Sequence, residues 1–158
     1  MVQNIQTLRF ANTFIPEFSN RTIASVHIIL KEKIGTEGRG GYFDSFGIIK
    51  DVVQNHMMQM LALIAMEQPK SLEAAHVRAA KTAVLKHVGS PSTIDVCLGQ
   101  YITNGEAGVL GYRDDDNVPN DSKTPTFACL VLKIANDRWT GVPFVLECGK
   151  GNECDILL

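Results

Sequence analysis

The sequence predicts an α+β fold in which helices pack on a partial, mainly antiparallel sheet. Two observations carry this prediction. The spacing of apolar residues gives the order helix, strand, helix, helix and then several strands in succession, not the regular strand–helix alternation that builds parallel sheets. In addition, two of the later strands are joined by a short asparagine-containing turn, which is typical of an antiparallel hairpin.

The first predicted elements are a helix and a strand. Residues 1–12 carry apolar side chains at helical spacing, and Pro16 ends this helix. Residues 22–31 are rich in β-branched side chains and are predicted to form a strand. Glu32 comes next on the apolar face of that strand, which consists of Ala24, Val26, Ile28 and Leu30.

Two helices are predicted after a loop with glycines at positions 35, 38, 40 and 41. Residues 46–66 repeat apolar side chains at every third or fourth position, as an amphipathic α-helix does, and Pro69 ends the pattern. Ser71 is the predicted N-cap of a second helix that runs to about residue 87, with Glu73 favourable in its first turn.

The remaining chain is predicted to form strands. They cover residues 94–102, 126–134 and 142–148, and a polar loop at 113–123 separates the first two. Residues 126–134 carry apolar side chains on both faces, which indicates a sheet that is covered at least in part on each side. The turn at 135–137 joins the last two strands as a hairpin.

Composition excludes several classes of protein. The 158 residues carry a net charge of −2, which argues against a nucleic-acid partner because phosphate neutralisation needs clustered basic residues. No run of apolar residues is long enough to span a membrane, and no secretory signal pattern is present. The four cysteines, Cys97, Cys129, Cys148 and Cys154, lack metal-ligand spacing. Three of them lie in or beside apolar runs, so we expect these to be reduced core thiols of a cytosolic protein.

Asp51 and His56 are the first candidate functional residues. On an ideal α-helix His56 shares a face with apolar residues, and a lone histidine there is more often a hydrogen-bonded core residue than a catalyst. Asp51 lies five residues earlier, about 140° away around such a helix, beside Asn55. The two side chains are therefore not predicted to pair unless the first turn is distorted.

Glu32, Lys150 and the glycine-rich loop are weaker candidates. A carboxylate on the covered face of a strand costs free energy unless it is paired or meets a polar ligand, so Glu32 binds a ligand or forms an ion pair with Lys31, Lys33 or Lys50. Lys150 ends a strand, where lysines are usually solvated. The glycines match neither dinucleotide-binding nor P-loop spacing, so a turn that needs positive φ is the simpler interpretation.

The segment KEKIGTEGRGGYFDSFGIIKDVVQNHMMQMLALIAMEQP (31–69) resembles the signature region of glucose-6-phosphate dehydrogenases. The segments MVQNIQTLRFAN (1–12) and RWTGVPFVLECGK (138–150) match this family in order and spacing. The resemblance implies that residues 1–158 are part of the C-terminal, substrate-binding domain, and that the N-terminal NADP-binding domain is absent.

The resemblance also implies roles for individual residues. His56 would be the general base that takes the proton from the C1 hydroxyl of glucose 6-phosphate while hydride leaves C1 for NADP⁺, and histidine suits this role because it titrates near neutral pH. Asp51 and Glu32 would hydrogen-bond the sugar hydroxyls, and Lys150 would bind the anionic substrate. NADP would be bound mainly by the missing domain. The carboxylate that orients the base would also lie in the missing part of the protein.

The C-terminal residues depart from the family pattern. The arginine expected after Lys150 has no counterpart, since Cys154 or Asp155 stands in its place, and Glu147 replaces an arginine that contacts a second, structural NADP in animal enzymes. We therefore expect a fragment that is inactive alone, from a cytoplasmic homodimeric or homotetrameric parent. The alternative is a shortened, non-enzymatic paralogue that binds a sugar phosphate or a partner chain.

Overall fold

The computed structural model describes residues 18–104, 110–151 and 156–157, the last two as backbone. Its strands are β1 (Val26–Lys31), β2 (Val96–Tyr101), β3 (Phe127–Lys133), β4 (Pro143–Gly149) and β5 (Ile156–Leu157). Its helices are α1 (Gly40–Ile48), a π-helix (Ile49–Met57), α2 (Met58–Ala65), α3 (Ala74–Leu85) and two short 3₁₀ turns (Thr93–Asp95 and Tyr112–Asp114). The helix predicted at 1–12 lies outside the described residues.

The described strands form one sheet in the order β1-β4-β3-β2-β5. The β3–β4 hairpin is antiparallel, as predicted, and so are the β2–β3 and β2–β5 pairs. Only the β1–β4 pair of this sheet is parallel. The predicted α+β class with a partial, mainly antiparallel sheet is thus confirmed.

The hydrophobic core lies between one face of the sheet and the helices. Ile28, Leu130 and Leu146 are buried on this face of the sheet, and Val52 and Leu61 are buried on the helices opposite. The indole N–H of Trp139 donates to the carbonyl oxygen of Ala65 at 2.8 Å and so joins the β3–β4 turn to the end of α2.

The opposite face of the sheet is only half covered by the described residues. Phe127, Cys129 and Val131 of β3 are half-buried on it, whereas their neighbours in sequence are buried toward the helices. Cys97 is exposed, so the expectation of a core thiol is wrong for this residue and correct for Cys148. Burial raises the pKa of the Cys148 thiol to about 12.

The boundaries of several elements differ from the predictions for local reasons. The first strand begins at Val26, because the amide N–H groups of Thr22 and Ile23 donate to the carbonyl of Ser19 and form a turn there. Glu73, and not Ser71, occupies the N-cap position of α3. The hydroxyl of Ser71 is engaged by the amide of Glu73 and by His76 Nδ1, at 3.2 and 2.8 Å.

The helix predicted from residue 46 begins earlier and is interrupted. Helix α1 starts at Gly40, and Gly47 leaves the helical conformation with φ 67° and ψ 167°. The π-helix at Ile49–Met57 follows α1 and continues directly into α2. Among the described residues, no helix is both long enough and apolar enough to cross a bilayer.

Candidate functional site

The candidate site lies where the carboxyl ends of β1 and β4 meet. Because these neighbouring strands are parallel, with Lys31 opposite Gly149, the residues that follow them leave the sheet side by side. Glu32 follows β1, and its amide donates to the carbonyl of Gly149 at 2.8 Å. Lys150 follows β4, so the strand pairing brings this lysine and Glu32 together.

An ionic cluster of three side chains forms at this point. Lys150 Nζ lies 2.6 Å from Glu32 Oε2 and 3.7 Å from Asp51 Oδ2. The lysine side chain is only 12% exposed, whereas the two carboxylates are 36% and 38% exposed. The expectation that Lys150 is solvated is therefore wrong. Glu32 forms its ion pair with Lys150, which was not among the lysines predicted as its partner because the two residues are far apart in the sequence.

A small pocket opens over the cluster. It has a volume of about 90 Å³ and is lined by Gly35, Thr36, Arg39, Tyr42, Phe43, Asp51 and Lys150. The ammonium group of Lys150 lies 5.2 Å from the centroid of the Phe43 ring, within the range of a cation–π contact. Binding pockets for whole small molecules are usually several times larger, so the described residues alone do not enclose such a molecule here.

The glycine-rich loop forms the rim of this pocket and is held by side chains that the sequence did not single out. The backbone N–H of Thr36 donates to the Tyr101 hydroxyl at 3.2 Å, and Thr36 Oγ1 donates to Asp115 Oδ2 at 2.8 Å. The backbone N–H of Asn117 lowers the pKa of Asp115, and Thr36 contributes in the same direction. For Asp115, the sequence offered only the run of aspartates at 114–116 in the polar loop.

The start of α1 is occupied by a carboxylate and does not form an open phosphate cradle. Asp115 Oδ2 lies 2.7 Å from the point where a Cβ atom on Gly40 would stand, and Val118 fills the space beside it. Gly38 adopts the positive φ that was predicted for a glycine of this loop, at 79°. Asp115 also accepts a hydrogen bond from the backbone of Gly40, so this helix start is not open to a phosphate group.

The π-helix changes the expected relation between Asp51 and His56. Backbone N–H groups in a π-helix bond to the carbonyl five residues earlier, as the Met58 N–H does to Val53. Its wider turn places residues five apart roughly one turn from each other, whereas an α-helix separates them by about 140°. Asp51 and His56 thus lie on nearer sides of the helix than α-helical geometry predicts.

His56 is exposed and does not lie on the buried face of the helix. The prediction of an apolar face around it is wrong, because the π-helix turns Val52, Val53 and Met57 toward the core and the imidazole away from it. In residues 18–104 and 110–151, the imidazole has no hydrogen-bond partner.

A second hydrogen-bond network supports α1 from behind the pocket. The carboxylate of Asp44 accepts hydrogen bonds from the hydroxyls of Ser122 and Tyr112, at 2.5 and 2.8 Å. The bond from Ser122 is the main cause of the lowered pKa of Asp44, and burial raises the pKa of Tyr112. The network ties the polar loop before β3 to the helix that leads into Asp51.

Comparison with known proteins gives matches over nearly all of the chain. The family model described as "Glucose-6-phosphate dehydrogenase, C-terminal domain" matches residues 6–154. The chain belongs to the glucose-6-phosphate dehydrogenase family. This finding confirms the resemblance stated from the segment 31–69.

Relatives in this family are similar in sequence and in structure. The cytoplasmic glucose-6-phosphate 1-dehydrogenase 6 of Arabidopsis thaliana is 53% identical, over 95% of this chain and 28% of its own length, and the Dictyostelium discoideum enzyme is 52% identical, over 95% and 30%. A solved glucose-6-phosphate dehydrogenase in complex with its substrate glucose-6-phosphate has a TM-score of 0.89 and 47% identity. It covers 94% of this chain, which in turn covers 31% of that structure. The chain thus spans less than a third of the family members it matches.

Proposed function

We propose that the protein to which this chain belongs oxidises D-glucose 6-phosphate to 6-phospho-D-glucono-1,5-lactone, with reduction of NADP to NADPH. The observation that carries the proposal is the cluster of Glu32, Asp51 and Lys150 beside the helix that bears His56. The pocket is lined by the Asp51 carboxylate and the Lys150 ammonium group, with the Glu32 carboxylate beside that lysine, and these groups match the polar hydroxyls and the anionic group of a sugar phosphate.

The ionic cluster supports binding through an exchange of partners. In the described structure Lys150 is neutralised by Glu32 and Asp51, and both carboxylates remain accessible to solvent. A sugar phosphate would offer hydroxyl donors to the carboxylates and an anionic acceptor to the ammonium group. Each side chain would then exchange one polar partner for another, so that binding leaves no charge unpaired.

His56 is the proposed general base. Its imidazole is exposed, and it lies about one π-helical turn from Asp51, so that a sugar held by Asp51 could present a hydroxyl to it. NADP⁺, held by residues outside this chain, would accept the hydride from C1. We therefore also propose that the chain alone does not turn over substrate, and that the complete protein works in the cytoplasm, where its Arabidopsis relative is named.

The test is a His56→Asn substitution in the complete protein. Loss of the proton acceptor should lower kcat by about 10²–10⁴-fold, while the dissociation constant for glucose 6-phosphate changes little. His27→Asn is the matched control, because His27 is also an exposed histidine but belongs to the far side of β1. An unchanged kcat in His56→Asn would refute the assignment of the base.

The paralogue alternative is tested by the gene itself. An in-frame upstream segment that encodes a dinucleotide-binding turn would support the enzyme. A genuine start codon at Met1 would favour a protein that binds sugar phosphate without oxidising it, and that protein should bind glucose 6-phosphate without forming NADPH.

A further inference from the structure

Two cysteines face each other on neighbouring strands of the sheet. In the antiparallel β2–β3 register Cys97 lies directly opposite Cys129. Opposed residues of an antiparallel pair point to the same face of a sheet, and here this is the half-open face away from the helices. Cys97 is exposed and Cys129 is half-buried in the described structure, so the described residues leave the pair accessible to small molecules.

The hydrogen-bond pattern determines how far apart these two side chains stand. The Lys150 amide donates to the carbonyl of Thr126, which makes the β3–β4 pairs at Phe127 and at Cys129 non-hydrogen-bonded ones. The peptide groups of Cys129 must then face β2, and Cys97–Cys129 is a hydrogen-bonded pair. In such pairs the Cβ atoms are about 5.5 Å apart.

This separation disfavours a direct disulfide and favours a bridging atom. A disulfide needs Cβ atoms about 3.5–4.5 Å apart, so closing one here would distort the ladder. A central atom with bonds to sulfur of about 2.3 Å, the length seen with zinc, places the two sulfur atoms nearly 4 Å apart and spans the gap.

A metal ion as the central atom would need further protein ligands, and the nearest candidate is the residue beside Cys129 on β4. Glu147 lies opposite Cys129 on β4, but its carboxylate is paired with Lys31 Nζ at 2.6 Å. Among the described residues, no group of three or more histidine, cysteine, aspartate or glutamate side chains is placed to hold a metal ion. A tetrahedral ion would lack protein ligands here, whereas a trivalent organoarsenical brings its third substituent with it.

We propose that Cys97 and Cys129 form a dithiol site that captures trivalent organoarsenicals. Both thiols react with the arsenic–oxygen group of the ligand: two S–H bonds and the arsenic–oxygen bond break, two arsenic–sulfur bonds form, and one water molecule leaves. No oxidation state changes. The product links β2 to β3 in place of a disulfide.

Capture depends on having both thiols. Burial and the neighbouring Glu147 raise the pKa of Cys129, so this residue alone reacts slowly as a thiolate. The advantage of the site is that the second arsenic–sulfur bond forms within one molecule, at high effective concentration. Cys148 is buried toward the helices, and neither of the other two described cysteines lies on that face.

The experiment uses phenylarsine oxide on the intact protein, with excess 2-mercaptoethanol to remove arsenic held by one thiol. Intact-mass spectrometry should show one phenylarsenic group per chain, which 2,3-dimercaptopropanol then releases. Cys97→Ala and Cys129→Ala should each lower retention at least tenfold, as should the matching serine variants. Cys148→Ala and Cys154→Ser are the controls and should retain the group.

Three results would overturn the proposal. They are no retention by the unmodified protein, equal retention by Cys97→Ala, and equal capture when the arsenical is added to protein already unfolded in urea, where the strands do not hold the two thiols together. Circular dichroism of each variant separates loss of the site from loss of the fold. Rapid formation of a Cys97–Cys129 disulfide with diamide would contradict the hydrogen-bonded geometry.

Discussion

Lys150 lies between two carboxylates and against an aromatic ring, and this position determines what its removal should do. Lys150→Met leaves Glu32 and Asp51 without their shared cation. We expect a loss of stability of about 1 kcal/mol, because the carboxylates remain partly solvated. In the complete protein, the KM for glucose 6-phosphate should rise more than kcat falls.

The control for this substitution is Lys31→Met. Lys31 also forms a 2.6 Å ion pair, with Glu147, but on the opposite face of the sheet and with a more exposed side chain. It should change stability slightly and leave KM unchanged. Equal shifts of KM in the two variants would show that general charge, and not the site, determines the affinity.

Asp44 gives a pH dependence whose sign follows from its hydrogen bonds. The Ser122 and Tyr112 hydroxyls hold the pKa of Asp44 below its ordinary value of 3.8. A carboxylate with a lowered folded pKa stabilises the fold fully above that ordinary value, and the contribution is lost as pH falls through the folded pKa. Asp44→Asn should lower the free energy of unfolding at pH 7 by about 1–2 kcal/mol. It should also make that free energy fall less steeply as the pH becomes acidic.

Urea unfolding between pH 2.5 and 7 measures this effect. Asp116→Asn is the matched control, since Asp116 is exposed on the same polar loop. If both variants keep the acid sensitivity of the parent, the network around Asp44 does not contribute as the hydrogen bonds indicate.

At the scale of elements, the break at Gly47 and the π-helix that follows act together. After Gly47 the chain restarts, and the amide of Ile48 donates to the carbonyl of Pro125 at 3.2 Å instead of to the preceding turn. The π-helix then brings Asp51 to the pocket and leaves His56 exposed. A continuous α-helix through these residues would place the two side chains on different sides.

Gly47→Ala tests whether this break is required. At φ 67° and ψ 167° an L-residue costs about 1–3 kcal/mol, and a Cβ atom would also stand 3.3 Å from Thr124 Cγ2. We expect urea unfolding to show a loss in that range. Gly89→Ala is the control and should be nearly neutral, because nothing lies closer than 3.7 Å to its Cβ position and its φ is ordinary.

Over the whole molecule, the features predicted correctly are those that depend on local patterns. Short apolar runs located β3 and β4 to within a residue, and the face of β1 that ends in Glu32 is the covered one. The partner of Glu32 was missed because Lys150 is 118 residues away, and only the parallel pairing of β1 with β4 brings them together.

The π-helix was missed for a different reason. Apolar residues at spacings of three and four are also consistent with an α-helix, so the pattern in residues 46–66 could not reveal the wider turn. The amide of Ile48, just before the π-helix, donates to the carbonyl of Pro125, a tertiary contact that the local pattern does not contain. The apolar face expected around His56 was therefore wrong, although the segment that contains it identified the family.

The exposed edge of the sheet gives a prediction for the 158-residue chain by itself. Strand β1 has a neighbour on one side only among the described strands, and Ile29 on its open face is 57% exposed. Unpaired edges with apolar side chains promote pairing between molecules, so we expect this chain to self-associate at micromolar concentration. Ile29→Lys should reduce that association, because a charge on an edge strand opposes pairing with another copy.

Ile94→Lys is the control for this substitution, since Ile94 is 94% exposed but lies in a 3₁₀ turn outside the sheet. Light scattering after size exclusion measures the result, and equal association of the two variants would show that the β1 edge is not the contact surface.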